Sequence, residues 1–260
     1  MKRAGFATAA ALIALAPGAQ AAETACWYEQ GVLVAPASVA GLAGDYILDT
    51  GAARTLLHET KGQMAGYLAP DQRGQIRIAG LTLADRPFTV ADLDARTAAF
   101  PTPIAGVIGA DVLAAYVVDV TFAPCRVSIR PAAEAGAFPA VATAPFRADR
   151  TLPTARATVS DGVRAFGVDF LLSTGTNAAV RLDTRLAGAP GEARPERLLP
   201  GGGARARLAA ISFAGRLVTG VPAGLVIGED PDLGGVIGAP LLAKWRVRFD
   251  FPQRRLLLAP

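Results

Sequence analysis

Histidine is nearly absent from this chain, with one residue in 260, and cysteine and methionine occur only twice each. A lone His58 excludes a histidine-rich metal centre and leaves a Ser-His-Asp triad without support. An excess of one charge is also missing. Setting aside Lys2 and Arg3, at the extreme N-terminus, leaves 24 basic residues against 22 acidic ones, a balance that gives no reason to expect nucleic acid. Beyond the first 21 residues no apolar run is long enough to span a bilayer, so no stable membrane insertion is expected. Phosphate and metal motifs are lacking too. "PGGGAR" at 200 to 205 has no following Lys-Ser/Thr and reads as a hairpin tip. Glu229, Asp230 and Asp232 read as a solvated acidic loop, not a calcium site. The sequence implies no cofactor and no metal.

The N-terminus does carry a signal. Lys2 and Arg3 precede an apolar stretch from Ala9 to Ala16, then Pro17-Gly18 and "AQA" at 19 to 21, the layout of a secretory signal peptide over residues 1 to 21. It predicts a secreted or periplasmic protein. In such an oxidising compartment the economical reading of Cys26 and Cys125 is a disulfide. Closing a loop of about 100 residues is worth on the order of 4 to 5 kcal/mol in the chain-entropy model. A catalytic thiolate would need a base, and nothing places His58 beside either cysteine. His58 itself reads as polar and exposed after Leu57, and Trp27 and Trp245 as packing residues.

The strongest pattern is internal. "GVIGADVLAAYVVDVTFAPCRVSIRP" at 106 to 131 aligns without a gap on "GVIGAPLLAKWRVRFDFPQRRLLLAP" at 235 to 260. Upstream, "DYILDTGAARTLL" at 45 to 57 is echoed by "DFLLSTGTNAAV" at 169 to 180. Two copies follow, over residues 22 to 130 and 151 to 260, joined by an Ala- and Pro-rich connector at 131 to 150. Each copy predicts a hairpin whose second strand ends in the Thr-Gly turn, then two short strands around a Gly-containing turn. An apolar strand ending in Gly with a brief Ala/Leu helix and a closing strand pair complete it. The fold class is mainly all-β.

An apolar strand ending in Asp49-Thr50-Gly51-Ala52, followed by a flap-like hairpin and by Val107-Ile108-Gly109 leading into a helix, resembles the retropepsin and pepsin type of aspartic protease. The second copy repeats the frame with Ser173-Thr174-Gly175-Thr176 and Val236-Ile237-Gly238, so the resemblance covers nearly the whole mature chain. It implies two lobes in a pepsin-like arrangement, a site between them built on the two Thr-Gly turns, and threonine hydroxyls that bond across to the opposite lobe.

In that family two aspartates share one proton: the ionised one withdraws a proton from water while its partner polarises the peptide carbonyl. Here Ser173 stands where the second acid belongs. A serine hydroxyl holds hydrogen bonds but neither ionises at working pH nor serves as a strong acid. Three readings follow. One is an exported aspartic-type endopeptidase hydrolysing peptide bonds through an Asp49-activated water, with a weak partner or with Asp49 supplied twice by two chains that pair their first lobes. Another is an inactive scaffold that holds an extended peptide or a partner protein in the interlobe cleft. In the third, Asp49 merely caps its own turn. The chain is a monomer in all of these except the paired-lobe case, where it is a homodimer.

Overall fold

The computed structural model describes residues 23–187, 197–198, 204–228 and 230–260. The segment read as a signal peptide, positions 200 to 203 of the glycine-rich stretch and Glu229 lie outside the described residues.

The first lobe grows from strands β1 (Glu23–Ala25) and β2 (Trp27–Glu29) and the hairpin β3 (Val32–Val39) and β4 (Leu42–Leu48). Ala40 and Gly41 turn that hairpin, both at positive φ (51° and 84°), the two-residue geometry that matches strand twist. Next come β5 (Leu56–His58), helix α1 (Glu59–Met64), the long hairpin β6 (Asp71–Ile78) and β7 (Leu81–Ala91), and the one-turn helix α2 (Asp94–Thr97). Strand β8 (Ile104–Ile108) then leads into α3 (Ala110–Leu113), and β9 (Val117–Phe122) with β10 (Cys125–Arg130) closes the copy. A 3-10 turn (Ala132–Glu134) and strand β11 (Ala142–Pro145) occupy the connector.

The second lobe repeats the plan: hairpin β12 (Thr154–Ser160) and β13 (Ala165–Ser173), then β14 (Val180–Asp183) and α4 (Thr184–Ala187). After β15 (Arg197–Leu198) come β16 (Ala204–Phe213) and β17 (Arg216–Val226), β18 (Leu233–Gly238) with α5 (Ala239–Leu242), and β19 (Arg246–Asp250) with β20 (Arg255–Ala259).

Each lobe folds one seven-stranded sheet on itself. The orders β2-β3-β4-β8-β5-β7-β6 and β12-β13-β18-β14-β17-β16-β15 match strand for strand from β3 and β12 onward, and β3–β6 and β12–β16 pairings close them. The closing strand pairs do something a single copy cannot. They join in a third sheet, β1-β10-β9-β19-β20-β11, in which β9 of the first copy pairs antiparallel with β19 of the second. At its centre Asp119 accepts from Arg248 Nη2 at 2.7 Å, and these positions are equivalent in the two copies, 129 residues apart. A pseudo-twofold axis therefore runs between them. The connector supplies β11 at one edge, and β1 lies at the other, beside the Cys26–Cys125 disulfide that ties the N-terminal segment to the start of β10.

The apolar residues of β3 and β4 are buried on both faces, and this places the site. Leu33, Ala35, Tyr46 and Leu48 face the large core, while Val32, Val34 and Ile47 join Ile104, Val107 and Leu93 in a second, smaller cluster. Leu93 and the flanking Ala91 and Phe100 thus clamp the 91–100 segment over the outside of β4. Burying Leu93 alone is worth roughly 2 kcal/mol. Two side chains depart from their sequence reading. His58 is buried, because its ring caps α1 by accepting from the Thr60 N–H at 3.4 Å and its other nitrogen meets Asp94. Trp27 is largely exposed, since it sits on an edge strand, whereas Trp245 packs against the core. No helix among the described residues is long and apolar enough to cross a membrane.

Candidate functional site

Strands β4 and β8 run parallel side by side, as do β13 and β18, so each Thr-Gly turn leaves its sheet next to the Gly that ends an apolar strand. The two turns meet on the pseudo-twofold axis and hold each other. Thr50 Oγ1 donates to Leu172 O (2.9 Å) and accepts from the Thr174 N–H (3.2 Å). Thr174 Oγ1 does the reciprocal, donating to Leu48 O (2.6 Å) and accepting from the Thr50 N–H (3.1 Å). Both threonines are fully buried, so these four bonds have no competing water and fix the turns rigidly. Gly51 and Gly175 permit the approach: a Cβ on Gly175 would lie 2.4 Å from Asp49 Cγ, and one on Gly51 2.7 Å from Ser173 Cβ.

Asp49 and Ser173 are in direct contact at the centre. Ser173 Oγ lies 2.7 Å from Asp49 Oδ1 and 2.9 Å from Thr176 Oγ1. The serine has one hydrogen, which the acceptor-only carboxylate takes, so the Thr176 hydroxyl donates to Ser173. Oδ1 also accepts from the N–H of Gly51 (2.8 Å) and of Gly175 (3.3 Å). Its sister Oδ2 receives Arg96 Nη2 at 2.5 Å. The same nitrogen lies 3.4 Å from Gly175 O, so Arg96 touches both lobes.

Arg96 is the residue that sequence reasoning missed. It sits on α2, which begins in an Asx turn (Asp94 N–H to Asp92 Oδ1, 2.8 Å) and is pinned by Leu93 below and by Asp94 against His58 Nε2 (3.1 Å). A polar stretch bracketed by Leu93 and Phe100 is a visible cue that the segment docks. Which way its arginine points is settled only by the packing of β4's outer face.

Asp49 is buried beside a guanidinium, with donors on both oxygens. Both of its oxygens are engaged as acceptors, and Ser173 is not an acid that could stand in for a second carboxyl. A cavity of about 490 Å³ opens against this cluster, running from Asp49 and Arg96 to Thr176, Asn177 and Arg181. Two larger hollows, of about 650 and 660 Å³, touch neither Thr-Gly turn. Among the described residues no group of His, Cys, Asp or Glu is arranged to hold a metal. In the acidic loop, Asp230 and Asp232 instead grip Arg150, the latter at 2.9 Å.

No protein-family model matches the chain, and no curated protein matches it in sequence. Among solved structures it is similar to the aspartic proteinase of Irpex lacteus, with a TM-score of 0.61 over 91% of this chain and 96% of that one at 13% identity. At that identity the likeness is one of fold: the chain has a pepsin-like, two-lobed all-β architecture.

Proposed function

We propose that this pepsin-like chain is an exported binding protein that holds an extended peptide in the cleft between its lobes without hydrolysing it. The observation that carries the proposal is the state of Asp49. The carboxylate that would activate water is engaged by Arg96 on one oxygen and by Ser173 on the other. The second acid, which would polarise the peptide carbonyl, is replaced by Ser173. Export is supported by the signal-like N-terminus and by the Cys26–Cys125 disulfide. Strand-rich lobes flanking a cleft suit a peptide bound in extended form.

A second reading, an aspartic-type endopeptidase, is favoured by one specific observation: the reciprocal threonine bonds that rigidify a catalytic pair are intact. It requires Arg96 to withdraw from Asp49 and another group to act as acid. Pairing of two first lobes is the less economical version, because the buried threonine bonds are already satisfied within one chain and would have to be broken.

The test is equilibrium binding of extended peptides to the purified mature chain, followed by recovery and mass analysis. The proposal expects saturable binding and intact recovery between pH 3 and 8. Cleavage that disappears in Asp49→Asn would establish the endopeptidase instead.

A further inference from the structure

The cavity beside Asp49 is unbalanced in its hydrogen-bonding groups. Its one acidic side chain, Asp49, already takes four hydrogen bonds, from Ser173, Arg96 and the N–H groups of Gly51 and Gly175. Its donors are not all used. Arg96 spends only Nη2, so among the described residues its Nε and Nη1 hydrogens have no partner. Arg181, on β14, donates Nη2 to Asn177 Oδ1 at 3.0 Å and forms no ion pair with any described residue. That bond occupies the Asn177 carbonyl and leaves its amide N–H₂ free. Two guanidinium groups and an amide therefore face a cavity in which a single carboxylate offsets one of the two positive charges.

The remaining wall is apolar at Val32, Ile47 and Phe100, and its other polar side chains, Gln30 and Thr176, carry no charge. A neutral ligand would satisfy donors with its carbonyls but leave the net positive charge uncompensated, and a cationic one would add to it. A carboxylate meets them with four lone-pair sites in the planar geometry that a guanidinium fork prefers. We infer that the cleft recognises a peptide through a carboxylate, from an acidic side chain or a free C-terminus, held by Arg181 and the unspent edge of Arg96. This rests on the peptide-binding reading above and adds the chemical class of the ligand.

Matched peptides test it: one ending in a free carboxylate, the same peptide amidated, and versions in which each internal Glu or Asp becomes Gln or Asn. Fluorescence polarisation with the full mature chain should find the carboxylate forms bound about tenfold more tightly than their neutral counterparts. Whichever change loses the affinity identifies the carboxylate as terminal or side-chain. Arg181→Gln should shrink the preference below about twofold. Arg77→Gln, an equal charge change at an exposed residue of β6 on the closed side of the first barrel, should keep it. Equal affinity for acid and neutral peptides, or a preference that survives Arg181→Gln, overturns the carboxylate site while leaving peptide binding in place. Titration with succinate, followed by the Arg181 guanidinium NMR signal, separates the other failure. A succinate-induced shift with no peptide bound supports the carboxylate site and overturns the peptide reading, and silence toward both ligands overturns both.

Discussion

The segments that precede β8 and β18 occupy the same place in the two copies and do opposite things. In the first lobe, residues 92 to 100 fold inward: Leu93 and Phe100 dock on β4, and Arg96 reaches the axis to grip Asp49. In the second, Asp230 and Asp232, between β17 and β18, hold Arg150, and Arg185 bonds Asp183 and Asp230 O. The strands on either side are superimposable in order. The barrels constrain the strands because each must pair on both sides, whereas a connector is free to diverge so long as it covers what lies beneath it. The asymmetry of the centre, one acid and one serine, is matched by an asymmetry of the connectors, one bringing a cation to that acid and the other bringing none.

The largest effect is expected at the glycines that let the two turns touch. Gly175→Ala drives a Cβ into the Asp49 carboxyl carbon, and neither side can retreat because four threonine bonds fix both turns. Urea denaturation should register a loss of about 3 kcal/mol. Thr50→Val and Thr174→Val come next, at about 2 kcal/mol each, because each strands a buried N–H and a buried carbonyl. Their double variant should cost well under the sum, since the two hydroxyls serve one reciprocal set of bonds.

Arg96→Met should destabilise by about 2 kcal/mol, less than a fully buried pair, because the Arg96 side chain is 32% exposed while Asp49 loses its cation. Adding Asp49→Asn should return most of that, which a double-mutant cycle would read as coupling. The Asp183–Arg185 pair of the second lobe gives the smallest effect. The Arg185 guanidinium, and then its N–H and that of Gly228, hold the Asp183 carboxyl below the usual carboxylate range. A depressed folded-state value means the contribution is present above the unfolded value, near 3.9, and is lost as pH falls below it. Thermal scans of the wild type should thus fall more steeply below about pH 4 than those of Asp183→Asn.

Much of the architecture was legible because it is local and repeated. The hairpins, the VIG strands with their short helices and the two Thr-Gly turns are carried by alternation, Gly turns and a gapless repeat. The shared sheet was less so: "VVDVTF" and "RVRFD" read as closing strands of their own copies, and only the meeting of Asp119 with Arg248 across the axis reveals that they pair with each other. His58 looked like a surface residue because nothing local shows that α2 will bring Asp94 to it. Arg96 was hidden for the same reason. It is one of many arginines, and its role depends on contacts between segments 47 residues apart.

In the proposed reading two features together silence the site: the missing second acid and the arginine on the first. The most direct measurement is peptidase activity against a diverse peptide library from pH 3 to 8 for the wild type, Ser173→Asp, Arg96→Gln and the double variant Ser173→Asp/Arg96→Gln. No cleavage is expected from the first three, because each lacks a second acid or keeps the guanidinium on Asp49. The double variant should show an acid-pH activity that Asp49→Asn abolishes. Cleavage by the wild type, lost in Asp49→Asn, would contradict that reading.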